Sequence, residues 1–440
     1  MRISATKGRK ICRIEVLSML SKEKNPKIPG ILAIAACFLM VFVCLGFCSS
    51  NKSLYLGAIT EALHIKRSLF SINDSFRFVS TAVVNLFFGT LIAKLGAKKL
   101  VGAGFLSLIA STLLYATAEH VALFYLGGMF LGIGLSWTTT TMVSYLVGRW
   151  FPEKRGTITG LALCANGLGG ALAAQIVTPI IYEEGNPFGY RNAYYLIAVI
   201  LAVVGILVVT LVQEPKAAAA APGKKKYKGK AWEGITLQKA LRKPYFYGAA
   251  LCVFVTGMAL QGINGIAAAH LGDVGLDKAV IASVLSVHSI VLCTSKFLAG
   301  FSYDKLGLRK TLLICEFFGV CSFLALALSG ATAAGTAFAF AWGAVSALAL
   351  PLETVMVPLI AADLFGERDY ARIMGLFVSI NTAGFAFGTP VCNAIFDVLG
   401  TYKPILFVIA GAMLAIMVAF HFIIRSSEKE HAAQSTDVPI

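Results

Sequence analysis

The sequence predicts an all-α integral membrane protein, with twelve transmembrane helices in two pseudo-symmetric six-helix halves. Three observations carry this expectation. Of 440 residues, 58% are hydrophobic and only 14% charged, with a mean hydropathy of +0.78, far from the balance of a soluble protein. Apolar runs of about 20 residues, the length a helix needs to cross a bilayer core about 30 Å thick, occur roughly twelve times. Finally, one short pattern recurs at about half the length of the chain.

That pattern is a glycine-punctuated cationic turn. Gly89, Lys94, Gly96, Lys98 and Lys99 have the spacing of Gly300, Lys305, Gly307, Arg309 and Lys310, 211 positions later, with Ala93 where the second copy has Asp304. The stretch from Phe151 to Gly160 resembles that from Phe365 to Gly375, and Asn166 and Gly169 match Asn381 and Gly384. Four matches in one order indicate an internal duplication.

The formal net charge of +16 invites a nucleic-acid reading, but its distribution opposes one. With both termini placed inside, 30 of the 38 lysines and arginines fall on the cytoplasmic side, which is the positive-inside bias. The expected partners are therefore a lipid bilayer and a small solute, with no nucleic acid. The expected location is the plasma membrane, the inner membrane if the source is bacterial. None of the ten cysteines makes a zinc-type C-x-x-C pair, and no metal site, cofactor or enzymatic motif can be read.

In chain order, residues 1–28 form a basic cytoplasmic tail, with Met19 as an alternative start. Residues 29–212 hold the first six spans. Span 1 is expected to reach Leu56, with Lys52 near its outer end. Span 2 carries Asp74, Arg77 and Asn85, and span 4 a run of four threonines, Thr138 to Thr141, expected to bond their own backbone. Span 5 is rich in small residues, which let helix backbones approach closely. A basic linker follows at 213–243, part of it fit for an amphipathic surface helix. Residues 244–424 hold the last six spans and 425–440 a cytoplasmic tail. His270 is expected at the outer mouth of span 7, and Glu316 in span 9 where it reaches water. Span 10 carries Glu353 between Pro351 and Pro358, where freed carbonyls line a cavity.

Lys296 in span 8 is the central candidate. A charge at the centre of a membrane helix costs about 2.5–3.5 kcal/mol on insertion scales, which makes it a functional candidate by default. At a rise of about 1.5 Å per residue, Lys296 and Glu353 both lie near the midplane. The candidate substrate-binding set is Lys296, Arg77, His288, Lys52, Asn85 and Asn381. Glu353 and Asp74 are the candidate counter-ions or proton-coupling groups. Simpler alternatives stand beside these: a snorkelling Lys296, and an intrahelical pair of Asp74 with Arg77.

The duplicated turn resembles the loop motif of the major facilitator superfamily, carried between helices 2 and 3 and again between helices 8 and 9. Gly46 to Leu54 and Ser295 to Gly300 are similar to the first and eighth helices of monocarboxylate transporters and oxalate/formate antiporters. Lys52 and Lys296 stand at the cation positions of those relatives. Leu292 stands where many monocarboxylate carriers have an aspartate, and span 11 has no lysine. The resemblance implies a monomeric alternating-access transporter of a small organic anion such as lactate, pyruvate or formate, with a proton or a counter-anion as second partner. Proton-driven export of another small molecule, or a non-transporting sensor of the same fold, are the alternatives.

Overall fold

The structure, a computed structural model, describes residues 27–50, 52–65, 67–212 and 234–436, and these are helical with no strand among them. Span 1 is Lys27–Cys44, span 2 is Arg67–Leu86 with a kinked continuation over 88–95, and span 3 covers 97–117. Span 4 runs through Val121–Thr138 and Thr140–Trp150, span 5 is Arg155–Ile181, and span 6 is Gly189–Leu211. In the second half, span 7 is Pro244–Asp273, and spans 8 and 9 make up Lys278–Ala327, divided at Gly307. Span 10 is Ala333–Ala349 followed by Val357–Phe365, span 11 Tyr370–Leu399, and span 12 opens Lys403–Thr436. Most of these are long and apolar enough to cross a membrane. Span 2 is more polar, because Asn73, Asp74, Arg77 and Asn85 all belong to it.

The duplication has a backbone signature. Gly96 breaks the helix at φ 76°, ψ 161°, and Gly307 does so at φ 79°, ψ 171°. Side chains disfavour this conformation strongly, so glycine is needed at both places. Both breaks lie at one end of the bundle, called here the motif end.

The halves meet where span 5 packs on span 8 and span 11 on span 2. Small residues set both crossings. A Cβ placed on Gly156 would lie 2.5 Å from the carbonyl oxygen of Gly300, and one on Gly160 would overlap the carbonyl oxygen of Lys296. In the other crossing a Cβ on Gly375 would lie 2.5 Å from the carbonyl oxygen of Asn85. Gly160 and Gly375 are repeat equivalents, as are Lys296 and Asn85, so the two contacts are one contact duplicated.

Several expectations need correction. Span 1 does not run to Leu56. Its regular helix ends at Cys44, passes through a wide turn in which Gly46 N–H bonds Val41 and Ser50 N–H bonds Leu45, and a separate helix, Lys52–Ala62, follows. Gly46 sits against the backbone of Gly169 there, a close approach that a regular turn carrying a larger residue would block. His270 is not at an open mouth: it is 1% exposed, with Nε2 3.0 Å from the Leu326 carbonyl oxygen. Glu316 does not reach water. It is fully buried beside Thr256 of span 7. The position of these residues along their helices does not by itself give the direction they face.

The expected surface helix is short. Leu237–Ala240 is one turn, docked onto the stretch between spans 10 and 11 through Ile235 N–H to Phe365 O and Leu237 N–H to Asp369 Oδ2. The rest of the linker before residue 234, and the tail up to 26, lie outside the described residues.

Candidate functional site

A cavity of about 480 Å³ opens between the halves, lined from both. Its walls include Arg77, Asn85, His288, Lys296, Glu353 and Asn381. Six of the eight candidate ligands and counter-ions therefore share one space. Asp74 is not among the lining residues; it lies 3.5 Å from Arg77, one turn away on the same helix, so the intrahelical pairing holds. Lys52 begins the helix after the wide turn, and its side chain lies outside the described residues.

Lys296 is only 6% exposed. Its backbone packs against Gly160 at the span 5 crossing, so the ammonium enters the cavity from the wall that also forms the seam between the halves. Among the described residues Lys296 makes no hydrogen bond and no ion pair. Glu353 lies close enough for an electrostatic interaction across the cavity, yet does not close on it. Glu353 Oε2 is buried without a hydrogen-bond partner among the described residues.

The backbone around Glu353 explains its position. Pro351 and Pro358 interrupt the regular helix, and Leu352–Met356 forms a wide π turn. Pro358 has no N–H to donate, which frees a carbonyl one turn back. Asn381 Nδ2 donates to the Glu353 carbonyl oxygen at 2.9 Å. Span 11 thus holds the turn that presents the Glu353 carboxylate.

The remaining candidates divide by how fully they are occupied. Asn85 is 1% exposed; it donates to Thr81 O at 3.0 Å and accepts from Ser136 at 2.8 Å and Thr141 at 3.1 Å. Thr138 and Thr139 bond their own helix as expected, whereas Thr141 reaches Asn85 instead, because span 4 breaks at Thr139 (φ −126°, ψ −133°). Arg77 donates to Ser49 at 2.8 Å and lies 4.4 Å over the Phe78 ring. His288 stacks on Trp342 at 5.6 Å, with Nδ1 2.9 Å from Ser346 Oγ.

The motif end is closed. Asp304 accepts from the backbone N–H of Gly156 at 3.0 Å and of Thr157 at 2.7 Å, placing a carboxylate at the start of span 5, where the helix dipole favours negative charge. Tyr303 donates to Asp363 at 2.6 Å, and buried Arg155 pairs with Glu367 while lying 4.0 Å over Tyr370. Across the other crossing, Ser379 donates to Ala82 O at 2.7 Å. Of the motif cations, Lys94, Lys98, Lys99, Lys305 and Lys310 are exposed, and Arg309 bonds the ring of His421. Gly89 packs its Cα against Arg372.

Sequence reasoning gave no site role to several lining residues: Thr140, read as bonding its own backbone, Asn166, read only as a repeat match, and Gln261 and Asn264. A signal existed for two of them, since Gln261 and Asn264 are three positions apart in an otherwise apolar helix.

Twelve spans in two duplicated halves around a central polar cavity define a carrier-type membrane protein. The sequence matches the Major Facilitator Superfamily over residues 36–352 and again over 249–439, and the chain belongs to that superfamily. Among curated relatives, the uncharacterized MFS-type transporter YcxA of Bacillus subtilis is 26% identical, the match covering 59% of this chain and 62% of YcxA. The sialic acid transporter NanX of Escherichia coli is 23% identical over 59% of this chain and 64% of its own. The oxalate:formate antiporter of Oxalobacter formigenes is 23% identical over 67% and 65%. The chain thus spans a little under two thirds of the length of these relatives. FucP of Escherichia coli, solved in the outward conformation, superposes with a TM-score of 0.70 at 15% identity, covering 91% of this chain and 99% of FucP, a likeness that concerns the fold.

Proposed function

We propose that this protein is a secondary transporter that carries a small organic monocarboxylate by alternating access, coupled to a proton or to exchange for another anion. The observation that carries the proposal is Lys296: a buried ammonium in the central cavity, with no hydrogen bond or ion pair to the described residues. A desolvated cation is strongly unfavourable without an anion nearby. Glu353 faces the same space without closing on it, which leaves Lys296 to a substrate carboxylate. Two of the relatives are named for acids or their anions, sialic acid in one case and oxalate and formate in the other, in keeping with this reading.

Alternating access requires a ligand to interact differently with the two states. Lys296 meets that requirement through its backbone, which forms the span 5 crossing, while its side chain would hold the substrate. Occupancy of the cavity is thereby linked to the seam between the halves. With the motif end assigned to the cytoplasm by the positive-inside bias, the closed motif end corresponds to an outward-facing state.

The test is uptake into proteoliposomes. Lys296→Ala and Lys296→Gln should lose transport of every anionic substrate at least tenfold while remaining folded. Near wild-type anion uptake by either variant, at equal reconstitution, would overturn the proposal.

A further inference from the structure

We infer that the cavity is built for a polyhydroxylated monocarboxylate, a sugar acid of the aldonate or uronate class, rather than for a two- or three-carbon acid. The inference rests on the proposed anion reading and narrows it.

Size is the first consideration. A cavity of about 480 Å³ falls in the range of about 300–1,000 Å³ that suits larger ligands. Each water takes about 30 Å³ of liquid, so formate or lactate would displace only a few waters and leave most of the polar wall untouched.

The second consideration is the unoccupied hydrogen-bonding capacity of that wall. Among the described residues, the side chains of Gln261 and Asn264 in span 7 and Thr140 in span 4 make no hydrogen bond, though all three line the cavity. Asn166 accepts from Ser50 at 2.7 Å through Oδ1, and its Nδ2 makes no hydrogen bond among the described residues. Amides and hydroxyls both donate and accept. Their natural partner is a hydroxyl, which does the same. A carboxylate only accepts, and an alkyl chain would strip these groups of water while offering nothing in return.

Charge is the third. Arg77 is engaged by Asp74 and Ser49, so Lys296 is the one lining Lys or Arg side chain, among those described, without a hydrogen bond or ion pair. One open cation matches one carboxylate, and the other polar contacts of the ligand must be neutral. Glu353 adds to this: once a substrate carboxylate takes Lys296, its own carboxylate needs a donor, and a hydroxyl of the same substrate supplies one. The expected pose puts the carboxylate at span 8 and the hydroxylated chain toward Gln261 and Asn264.

The test is competition in proteoliposomes containing the full chain, with gluconate and glucuronate as sugar acids, lactate and formate as short acids, and glucose and glucitol as neutral probes. The expected result is that at least one sugar acid is preferred over lactate tenfold or more. Gln261→Ala with Asn264→Ala should collapse that ratio, and Thr140→Val, nearly isosteric and on the other half, should reduce it. Should lactate or formate match or exceed both sugar acids in a Lys296-dependent manner, the sugar-acid inference fails while the anion reading stands. Transport of the neutral probes in preference to every acid would overturn both. A ratio unchanged in the double variant and in Thr140→Val alike would also overturn the inference.

Discussion

Asp304, in the C-terminal half, accepts a hydrogen bond from the backbone N–H of Thr157, in the N-terminal half, at 2.7 Å. The same carboxylate takes the Gly156 N–H, so one side chain clasps a helix start across the seam. Charge-assisted bonds of this kind are roughly twice as strong as neutral ones. Asp304→Asn is expected to open the motif end more often. Thr159, 1% exposed beside the seam, gives the readout. The alkylation rate of Thr159→Cys should rise about tenfold when Asp304→Asn is also present, corresponding to about 1.4 kcal/mol. An unchanged rate would mean that the clasp does not hold the seam shut.

Asn85 lines the cavity but its bonds hold span 4 to span 2, so it should act on stability more than on affinity. Asn85→Ala leaves the Ser136 and Thr141 hydroxyls without their acceptor, a loss of about 1–3 kcal/mol. A lower melting temperature with a KM for substrate within about threefold of wild type is expected. A large rise in KM at unchanged stability would make Asn85 a ligand instead.

Glu353→Gln keeps the shape of the π turn, because Asn381 grips the backbone carbonyl and not the carboxylate. If Glu353 couples transport to protons, the variant should lose its response to a pH gradient and still exchange anion for anion. Uptake driven fully by the gradient in this variant would remove Glu353 from the coupling role.

Orientation can be checked with impermeant thiol reagents on intact cells. Glu184 and Lys305 are both exposed and belong to opposite ends of the bundle. Glu184→Cys should react from outside and Lys305→Cys only after permeabilisation. The reverse pattern would invert the proposed topology.

The duplicated glycines were legible in the sequence because a backbone conformation close to glycine-only leaves a residue-level mark, and Gly96 and Gly307 carry it at matched spacing. Lys296 and Glu353 were legible because a charge in an apolar run is conspicuous. What the sequence did not carry was rotation. In a membrane helix the lipid face and the packed face are both apolar, so periodicity does not reveal that Glu316 points into the bundle or that Thr141 points at Asn85. Partners such as Asp304 and Thr157, 147 positions apart, follow from how the halves dock, which no local pattern encodes.

Because Ala93 occupies the position equivalent to Asp304, the two seams are held by different physics. One has a latch, the Asp304 carboxylate on two backbone amides. The other is a plain hinge, Gly89 on Arg372 and Ser379 on Ala82, shaped by contact and a neutral hydrogen bond. Duplication thus copied the close approach of the backbones but not the carboxylate, so one side chain makes the two walls of the cavity unequal.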